Sequence, residues 1–131
     1  MRKLNAVLDF GCGCGRIARH WASLEGPEFF GCDYNQEFVD WCTSNLPFLT
    51  VRSNQLEPPL PYDAECFNLV YAISVFTHLS EPKQSEWMSE LRRVLQPGGL
   101  LLFTTKGDGH AHELTKPGRP GLEAYREGGC S

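Results

Sequence analysis

Clustered basic residues are lacking in this 131-residue chain, which has 12 Lys and Arg against 16 Asp and Glu and a net charge of −4. A nucleic-acid surface needs clustered Lys and Arg to neutralise phosphates, so the composition argues against a nucleic-acid partner. Apolar runs stay well short of the roughly 20 residues that span a bilayer, and no apolar leader ends in a small-residue cleavage site. We therefore expect a cytoplasmic protein that has neither a membrane nor a nucleic-acid partner.

A disulfide or zinc framework is also lacking, although the chain contains six cysteines. Most of them lie in or beside apolar runs, where a reduced cysteine acts as a small hydrophobic residue: Cys12, Cys32, Cys42 and Cys66. The C-x-C formed by Cys12 and Cys14 is flanked by glycines, and no second ligand pair follows at zinc spacing. The pattern predicts a reduced protein with no metal site.

Short apolar runs that alternate with helical patterns are what the chain does contain. The runs predict strands at 6–10, 28–32, 48–52, 67–73 and 100–103, the last after a turn at 96–99. Helical spacing predicts one helix through Ile17, Trp21 and Leu24, a second between Asn35 and Pro47, and a third from Ser80. Such alternation is typical of parallel sheets with right-handed crossovers, so we expect an α/β fold.

Side-chain spacing also predicts which helix faces are buried. In the second helix, which Asn35 can cap, the expected buried stripe is Phe38, Trp41, Cys42 and Leu46. In the third helix it is Trp87, Met88, Leu91, Val94 and Leu95, and we also assign Phe76 to the core. The prolines within 53–65 predict a loop there.

Three glycines at alternate positions, Gly11, Gly13 and Gly15, follow the first predicted strand. Open α/β sheets bind ligands at the carboxyl ends of their strands, and glycines there bring bare N–H groups against a ligand. The dinucleotide fingerprint G-x-G-x-x-G/A would need a small residue at position 16, where the chain has Arg16. Arg16 therefore disfavours a nicotinamide-dependent oxidoreductase. The observed spacing is G-x-G-x-G, and the acidic Asp9 stands two positions before its first glycine.

The run 7–16 resembles motif I of the class I S-adenosylmethionine-dependent methyltransferases. The resemblance continues through 31–35, through 60–62 with 67–70, and through 91–99, so that four motifs stand in the right order over about residues 5–105. It implies a Rossmann-like doubly wound parallel sheet with strand order 3-2-1-4-5, and S-adenosyl-L-methionine as the cofactor.

The resemblance also implies a set of cofactor-binding residues. The glycine loop would face the methionyl carboxylate, with Asp9 attracting the amine. Asp33 would accept hydrogen bonds from the ribose hydroxyls, and Asn54 would accept one from the adenine amine. The full implied set is Asp9, Gly11, Cys12, Gly13, Gly15, Asp33, Tyr34, Asn54, Gln55, Leu56, Ala72, Ile73 and Ser74. For Asp9, Asp33 and Asn54 the alternative is ordinary turn or capping chemistry.

The implied activity is methyl transfer to a small-molecule acceptor, whose nucleophile attacks the sulfonium methyl without a covalent enzyme intermediate. No catalytic residue is assigned firmly. His78 is the weak candidate for a general base, and a purely structural role is the alternative. The second hypothesis is a cofactor-binding module without turnover, or a fragment of a larger methyltransferase.

Length is the main departure from the family pattern. We expect a methyltransferase core at 1–105 and a Gly/Pro-rich tail at 106–131, which is either loop or an ordered segment. The usual strands six and seven are expected to be lacking, which would expose the edge of strand five. That edge predicts a homodimer formed through it.

Overall fold

One sheet organises this computed structural model, which describes residues 5–104, 111–115 and 125–126. Its parallel strands are β1 (Ala6–Phe10), β2 (Glu28–Asp33), β3 (Leu49–Ser53), β4 (Phe67–Ala72) and β5 (Leu95–Thr104). The helices are α1 (Gln36–Asn45) and α2 (Glu81–Val94), and single 3₁₀ turns span Ala18–Trp21 and Phe76–His78. None of the helices in these ranges is both long and apolar enough to cross a bilayer.

The strand order confirms the predicted topology. β1 pairs in parallel with β2 on one side and with β4 on the other, and the order over the parallel strands is β3-β2-β1-β4-β5. The chain therefore reverses its winding direction between β1 and β4. Loops leave the sheet in opposite directions at such a point and open a crevice at the carboxyl ends of the strands.

The sheet continues past its fifth strand, so the prediction that it ends there is wrong. β6 (Ala111–Thr115) pairs antiparallel with β5, from Leu100 opposite Thr115 to Thr104 opposite Ala111, and β7 (Tyr125–Arg126) pairs antiparallel with β6. The predicted exposed edge of strand five is thus occupied over these residues, and it cannot form the predicted homodimer. The edge carries unpaired N–H and C=O groups that a hairpin satisfies.

Two apolar layers cover the sheet, one on each face, which confirms the doubly wound architecture. Leu8 and Phe10 of β1 pack with α2 residues, and the predicted core residues Phe76 and Trp87 belong to this layer. Val7, which directly precedes Leu8, points to the opposite face and packs in the layer that contains Cys42 of α1. Successive side chains of a strand alternate between faces, so β1 contributes to both layers.

The predicted first helix is only the 3₁₀ turn at Ala18–Trp21. The N–H of His20 donates to the carbonyl of Ile17 and that of Leu24 to that of Trp21, which is three-residue rather than four-residue spacing. Ala18 is the buried residue of this turn, and Leu24 is 51% exposed. A short segment that buries so little apolar surface has little to stabilise a full helix.

Helix α1 buries only part of the predicted stripe. Cys42 is buried and Leu46 packs against the core as predicted, whereas Phe38 and Trp41 are 40% and 46% exposed and Val39 is buried in their place. The predicted cap is confirmed, since Asn35 accepts a hydrogen bond from the N–H of Glu37 at 2.9 Å. Residues three apart share a helix face, so burying the Val39–Cys42 pair turns Phe38 and Trp41 outward.

Strand β5 begins at Leu95, earlier than predicted, and residues 96–99 form an irregular stretch within the strand instead of a turn before it. The register with β4 shifts between Phe67 and Leu69, as in a β-bulge. Gly99 is required there, since a Cβ would lie 2.9 Å from the carbonyl oxygen of Asn68. The Asn68 side chain accepts hydrogen bonds from the N–H groups of Asn5 and Ala6, which fixes the start of β1.

Candidate functional site

A cavity of about 400 Å³ lies at the carboxyl ends of the parallel strands, where the winding reverses. Residues that end or follow β1, β2, β3 and β4 meet there, and α2 contributes one wall. The lining residues are Phe10, Gly11, Asp33, Tyr34, Asn54, Gln55, Leu56, Ser74, Val75, His78, Leu79 and Trp87. This volume falls within the usual range for small-molecule sites.

The cavity gathers much of the predicted binding set from four separate stretches of sequence. The predicted residues that line it are Gly11, Asp33, Tyr34, Asn54, Gln55, Leu56 and Ser74. The predicted residues outside its lining are Asp9, Cys12, Gly13, Gly15, Ala72 and Ile73. The sequence missed Phe10, Val75, Leu79 and Trp87, whose apolar side chains gave a signal for burial and none for a ligand.

The glycine loop does not present the free N–H groups expected from the sequence. The N–H groups of Gly11 and Cys12 both donate to the carbonyl of Cys32, at 2.8 and 2.9 Å. The N–H of Gly13 donates to the Asp33 carboxylate, and that of Gly15 to the carbonyl of Cys12. These bonds tie the loop to the end of β2, so the loop shapes the cavity while the N–H groups of Gly11, Cys12, Gly13 and Gly15 are engaged within the protein.

Gly11 and Gly15 are the loop positions where a side chain has no room. Both have positive φ, 73° and 78°. A Cβ at Gly11 would lie 2.5 Å from Cγ2 of Val75, and one at Gly15 would lie 2.4 Å from Cδ1 of Leu46. Positive φ and close approach together demand glycine.

Asp33 is the central polar residue of the site and is 8% exposed. Its Oδ2 accepts from the N–H of Gly13 at 2.8 Å and its Oδ1 from the N–H of Asn35 at 2.9 Å. Its backbone carbonyl accepts from the N–H of Asn54 at 3.0 Å. A carboxylate has about four lone-pair sites, so Asp33 can still accept hydrogen bonds from a ligand in the cavity.

Asn54 carries an unsatisfied acceptor in the cavity wall. Its Nδ2 donates to the carbonyl of Gln55 at 2.7 Å, and this bond sets the orientation of the amide. Its Oδ1 is buried and has no hydrogen-bond partner in the described part of the chain. A buried unsatisfied acceptor costs about 1–3 kcal/mol, so this oxygen is suited to a ligand that brings an N–H donor.

Asp9 lies behind the cavity wall in a buried polar chain. Burial raises the pKa of its carboxyl to about 7, against the lowering effect of a hydrogen bond from the Tyr71 hydroxyl, and the charge of Asp33 raises it further. The Tyr71 hydroxyl in turn accepts from Nε1 of Trp21 at 3.0 Å. The predicted contact of Asp9 with a ligand amine stays a prediction.

The raised pKa of Asp9 predicts a pH-dependent stability. The folded pKa lies above the unfolded value of about 3.9, so the folded protein is favoured at low pH and loses stability as pH rises from about 4 to 7. Asp9→Asn cannot ionise and escapes this loss. We expect the free energy of unfolding of Asp9→Asn, relative to that of wild type, to increase by about 2–3 kcal/mol from pH 5 to pH 8. Urea unfolding at the two pH values measures this difference. A constant difference would contradict the assignment.

Two residues after β4 complete the rim of the cavity. Ser74 has a φ of 63°, an uncommon conformation for a residue with a side chain, and its N–H donates to Oγ1 of Thr104 at 2.7 Å. His78 ends the second 3₁₀ turn and is exposed at the rim. Its imidazole is therefore open to a molecule that approaches the cavity from solvent.

Comparison with known proteins places this fold among methyltransferases. A family model described as "Methyltransferase domain" matches residues 7–99, which is more than half of the chain. That stretch contains the glycine loop, Asp33, Asn54 and the strands that carry them.

Two relatives are malonyl-[acyl-carrier protein] O-methyltransferases. The chain is 31% identical to the Salmonella typhimurium protein over 113 residues, covering 86% of this chain and 43% of that protein. It is 36% identical to the Herminiimonas arsenicoxydans protein over 112 residues, covering 82% of this chain and 40% of that protein. The chain thus spans about two-fifths of the length of these relatives.

A solved structure of a SAM-dependent methyltransferase from Methanosarcina mazei superposes on the chain with a TM-score of 0.69. The identity is 24%, and the match covers 79% of this chain and 53% of the other. At this identity the likeness concerns the fold.

Proposed function

Because this chain belongs to the methyltransferase domain family, we propose that its cavity binds S-adenosylmethionine and that the protein transfers the methyl group to a small-molecule acceptor. The observation that carries the proposal is Oδ1 of Asn54, which has no hydrogen-bond partner among the described residues and is buried in the wall of a cavity that Asp33 and Tyr34 also line. An adenosine offers an amine to Asn54, ribose hydroxyls to Asp33 and a ring face to Tyr34.

The described residues fit the proposed cofactor at its adenosine end. Asn54 would accept from the adenine amine, Asp33 from the ribose hydroxyls, and the exposed Tyr34 ring would lie beside the base. Gly11 and Ser74 line the part of the cavity nearest β1 and β4, where the methionyl portion would lie. When bound, the cofactor supplies an electrophilic sulfonium methyl, and the protein's part is to orient it and exclude water.

The proposed acceptor belongs to the class of small molecules. The two relatives described above act, by their names, on malonyl-acyl carrier protein, and the mild acidity of this chain disfavours a nucleic-acid surface. His78 at the rim is the candidate to take a proton from the acceptor. A cytoplasmic location is supported by free cysteines at positions 12, 14, 32, 42 and 66, since disulfides are rare in reducing compartments.

A cofactor-binding module without turnover, or a fragment of a larger methyltransferase, is the second candidate. It is favoured by one observation: the chain covers 43% and 40% of the relatives that it matches. Residues that bind an acceptor in those longer proteins can lie in the remainder of their length.

Calorimetry followed by a transfer assay separates the candidates. We expect saturable binding of S-adenosylmethionine and S-adenosylhomocysteine and none of NAD, and then transfer of a labelled methyl group to members of a panel of small carboxylates and thioesters. Binding without transfer to any acceptor would favour the module. Binding of NAD with no binding of S-adenosylhomocysteine would overturn the proposal.

Asn54→Ala should weaken S-adenosylhomocysteine binding about tenfold, since one hydrogen bond to a buried acceptor is worth roughly 1–2 kcal/mol. The unfolding midpoint should change little, because Oδ1 has no partner among the described residues and the bond that Nδ2 donates to the Gln55 carbonyl is an exposed one. Titration calorimetry and thermal unfolding give both numbers. An equal loss of stability and affinity would instead indicate that Asn54 supports the fold.

A further inference from the structure

One face of α2 contacts the irregular segment 56–62, which continues the cavity wall beyond Asn54 and Gln55. The α2 residues involved are spaced four, three and three positions apart, so they lie on one side of the helix: Lys83, Trp87, Glu90 and Arg93. The resemblance to methyltransferases assigns none of them to the cofactor. Each meets the segment through a polar atom, which apolar packing alone would not require.

Glu90 holds the far end of the segment. It is 7% exposed, and its Oε2 accepts from the N–H of Leu60 at 2.7 Å. Arg93 donates to the carbonyl of Tyr62 at 2.9 Å and pairs with Oε1 of Glu90 through Nε at 2.9 Å. The hydrogen bonds from Arg93 and Leu60 lower the pKa of Glu90 against the effect of burial, so it remains ionised.

Trp87 and Lys83 hold the end of the segment that is nearer to Asn54. The indole Nε1 of Trp87 donates to the carbonyl of Leu56 at 3.3 Å, and its ring packs against Phe10 with centroids 4.9 Å apart. Lys83 forms an ion pair with Glu57. The contact to Leu56 lies two residues from Asn54, whose Oδ1 is the unsatisfied acceptor.

Residues 54–63 form neither helix nor strand, so contacts with neighbouring elements hold the segment in place. Its prolines remove donors and prevent regular pairing, and α2 supplies partners for the backbone of Leu56, Leu60 and Tyr62. Outside α2, Arg52 donates to the carbonyl of Pro61, and the Tyr62 hydroxyl donates to that of Gly31. The position of the Asn54 acceptor relative to Asp33 and Tyr34 therefore depends on how α2 holds the chain that follows.

We propose that Trp87 and Glu90 are positioning residues that set the Asn54–Leu56 wall of the cavity and through it the selectivity for adenine. The inference rests on the proposed function. Neither residue supplies the selective hydrogen bond, and both act through the backbone that carries Asn54. The Asn54 amide is not free to reverse, because its Nδ2 is bonded to the carbonyl of Gln55 at 2.7 Å.

A comparison of two ligands that differ at one group tests the inference. S-adenosylhomocysteine presents an amine to Oδ1 of Asn54, whereas S-inosylhomocysteine presents a carbonyl oxygen, and two acceptors repel. Wild type should therefore prefer the adenosyl ligand by at least about tenfold, the worth of one hydrogen bond.

Trp87→Phe and Glu90→Gln should each reduce the ratio of the two dissociation constants at least about threefold. Trp87→Phe keeps an aromatic ring in the cavity wall, removes the donor to Leu56 and reduces the ring surface that packs on Phe10. Glu90→Gln keeps an acceptor for Leu60 and removes the charge that Arg93 pairs with. The controls are Trp41→Phe, an exposed tryptophan on α1, and Glu81→Gln, an exposed glutamate in the first turn of α2. Both controls should keep the wild-type ratio.

A structural role alone would weaken both ligands equally, so an unchanged ratio in Trp87→Phe and Glu90→Gln would overturn the inference. If Glu90→Gln does not fold, Trp87→Phe decides alone. Failure of the proposed function has a different signature, because wild type itself would then bind neither ligand. If wild type binds both ligands equally, the role of Asn54 in selecting adenine is wrong, and the inference fails with it.

Discussion

Asp33→Ala is expected to lower the affinity for S-adenosylhomocysteine at least about 100-fold and to reduce the free energy of unfolding by about 3–6 kcal/mol. The affinity loss combines the ribose hydrogen bonds with the collapse of the loop that Asp33 holds. The stability loss follows from two hydrogen bonds to a charged acceptor, from Gly13 and Asn35, each worth about 1.5–3 kcal/mol. Urea unfolding and titration calorimetry measure the two effects.

Asp40 provides the matched control, since it is an exposed carboxylate that accepts from Gln36 on the surface of α1. Asp40→Ala should cost less than about 0.5 kcal/mol and leave the affinity unchanged. Asp33→Asn keeps one acceptor oxygen and turns an amide donor towards a backbone N–H, so it should fall between wild type and Asp33→Ala. An Asp33→Ala protein that is as stable as wild type would show that the loop does not depend on this carboxylate.

Gly11→Ala should abolish ligand binding and lower the free energy of unfolding by about 2–4 kcal/mol. An alanine at φ 73° costs roughly 1–2 kcal/mol, and the new Cβ at 2.5 Å from Val75 adds about 1–3 kcal/mol of overpacking. Val75 lines the cavity, so its displacement changes the space that a ligand needs. Thermal unfolding and calorimetry with S-adenosylhomocysteine test both parts.

Gly13→Ala separates the two costs, because Gly13 also has positive φ but nothing lies within 4 Å of its Cβ position. It should lose only the roughly 1–2 kcal/mol that the backbone conformation costs. The double variant Gly11→Ala with Val75→Ala removes the clash, and it should recover stability relative to Gly11→Ala. If Gly11→Ala and Gly13→Ala were equally destabilised, the close approach of Val75 would not matter.

The parallel half of the fold could be predicted from local patterns. Continuous apolar runs separated by helical spacing identified β1 to β4 to within a residue or two, and the glycine loop marked the reversal point. Asp33, Tyr34, Asn54, Gln55 and Leu56 were predicted for the site and line the cavity, because each ends or follows a strand in the parallel sheet. Local sequence is sufficient to place a residue at the carboxyl edge of the sheet when that residue directly ends or follows a predicted strand.

Pairings between distant segments were beyond the sequence. The strand β6 has apolar residues only at Ala111 and Leu114, so it carries little periodic signal, and its pairing with β5 depends on an edge that exists only after folding. The face of α1 that is buried was mispredicted in part for a similar reason, since Val39 or Phe38 can face the sheet with equal helical spacing.

Short-range spacing in the sequence determined where the parallel strands and the glycine turn lie along the chain, and the resemblance to methyltransferases implied the strand order and the residues gathered at the reversal point. Tertiary structure decided how those residues are used. It bonded the N–H groups of Gly11 and Cys12 to Cys32 and that of Gly13 to Asp33. It also left Oδ1 of Asn54 without a partner in the described part of the chain and set α2 against residues 56–62. Hydrogen bonds between groups far apart in the chain form only where the whole sheet brings them within about 3 Å, and no local pattern encodes that approach.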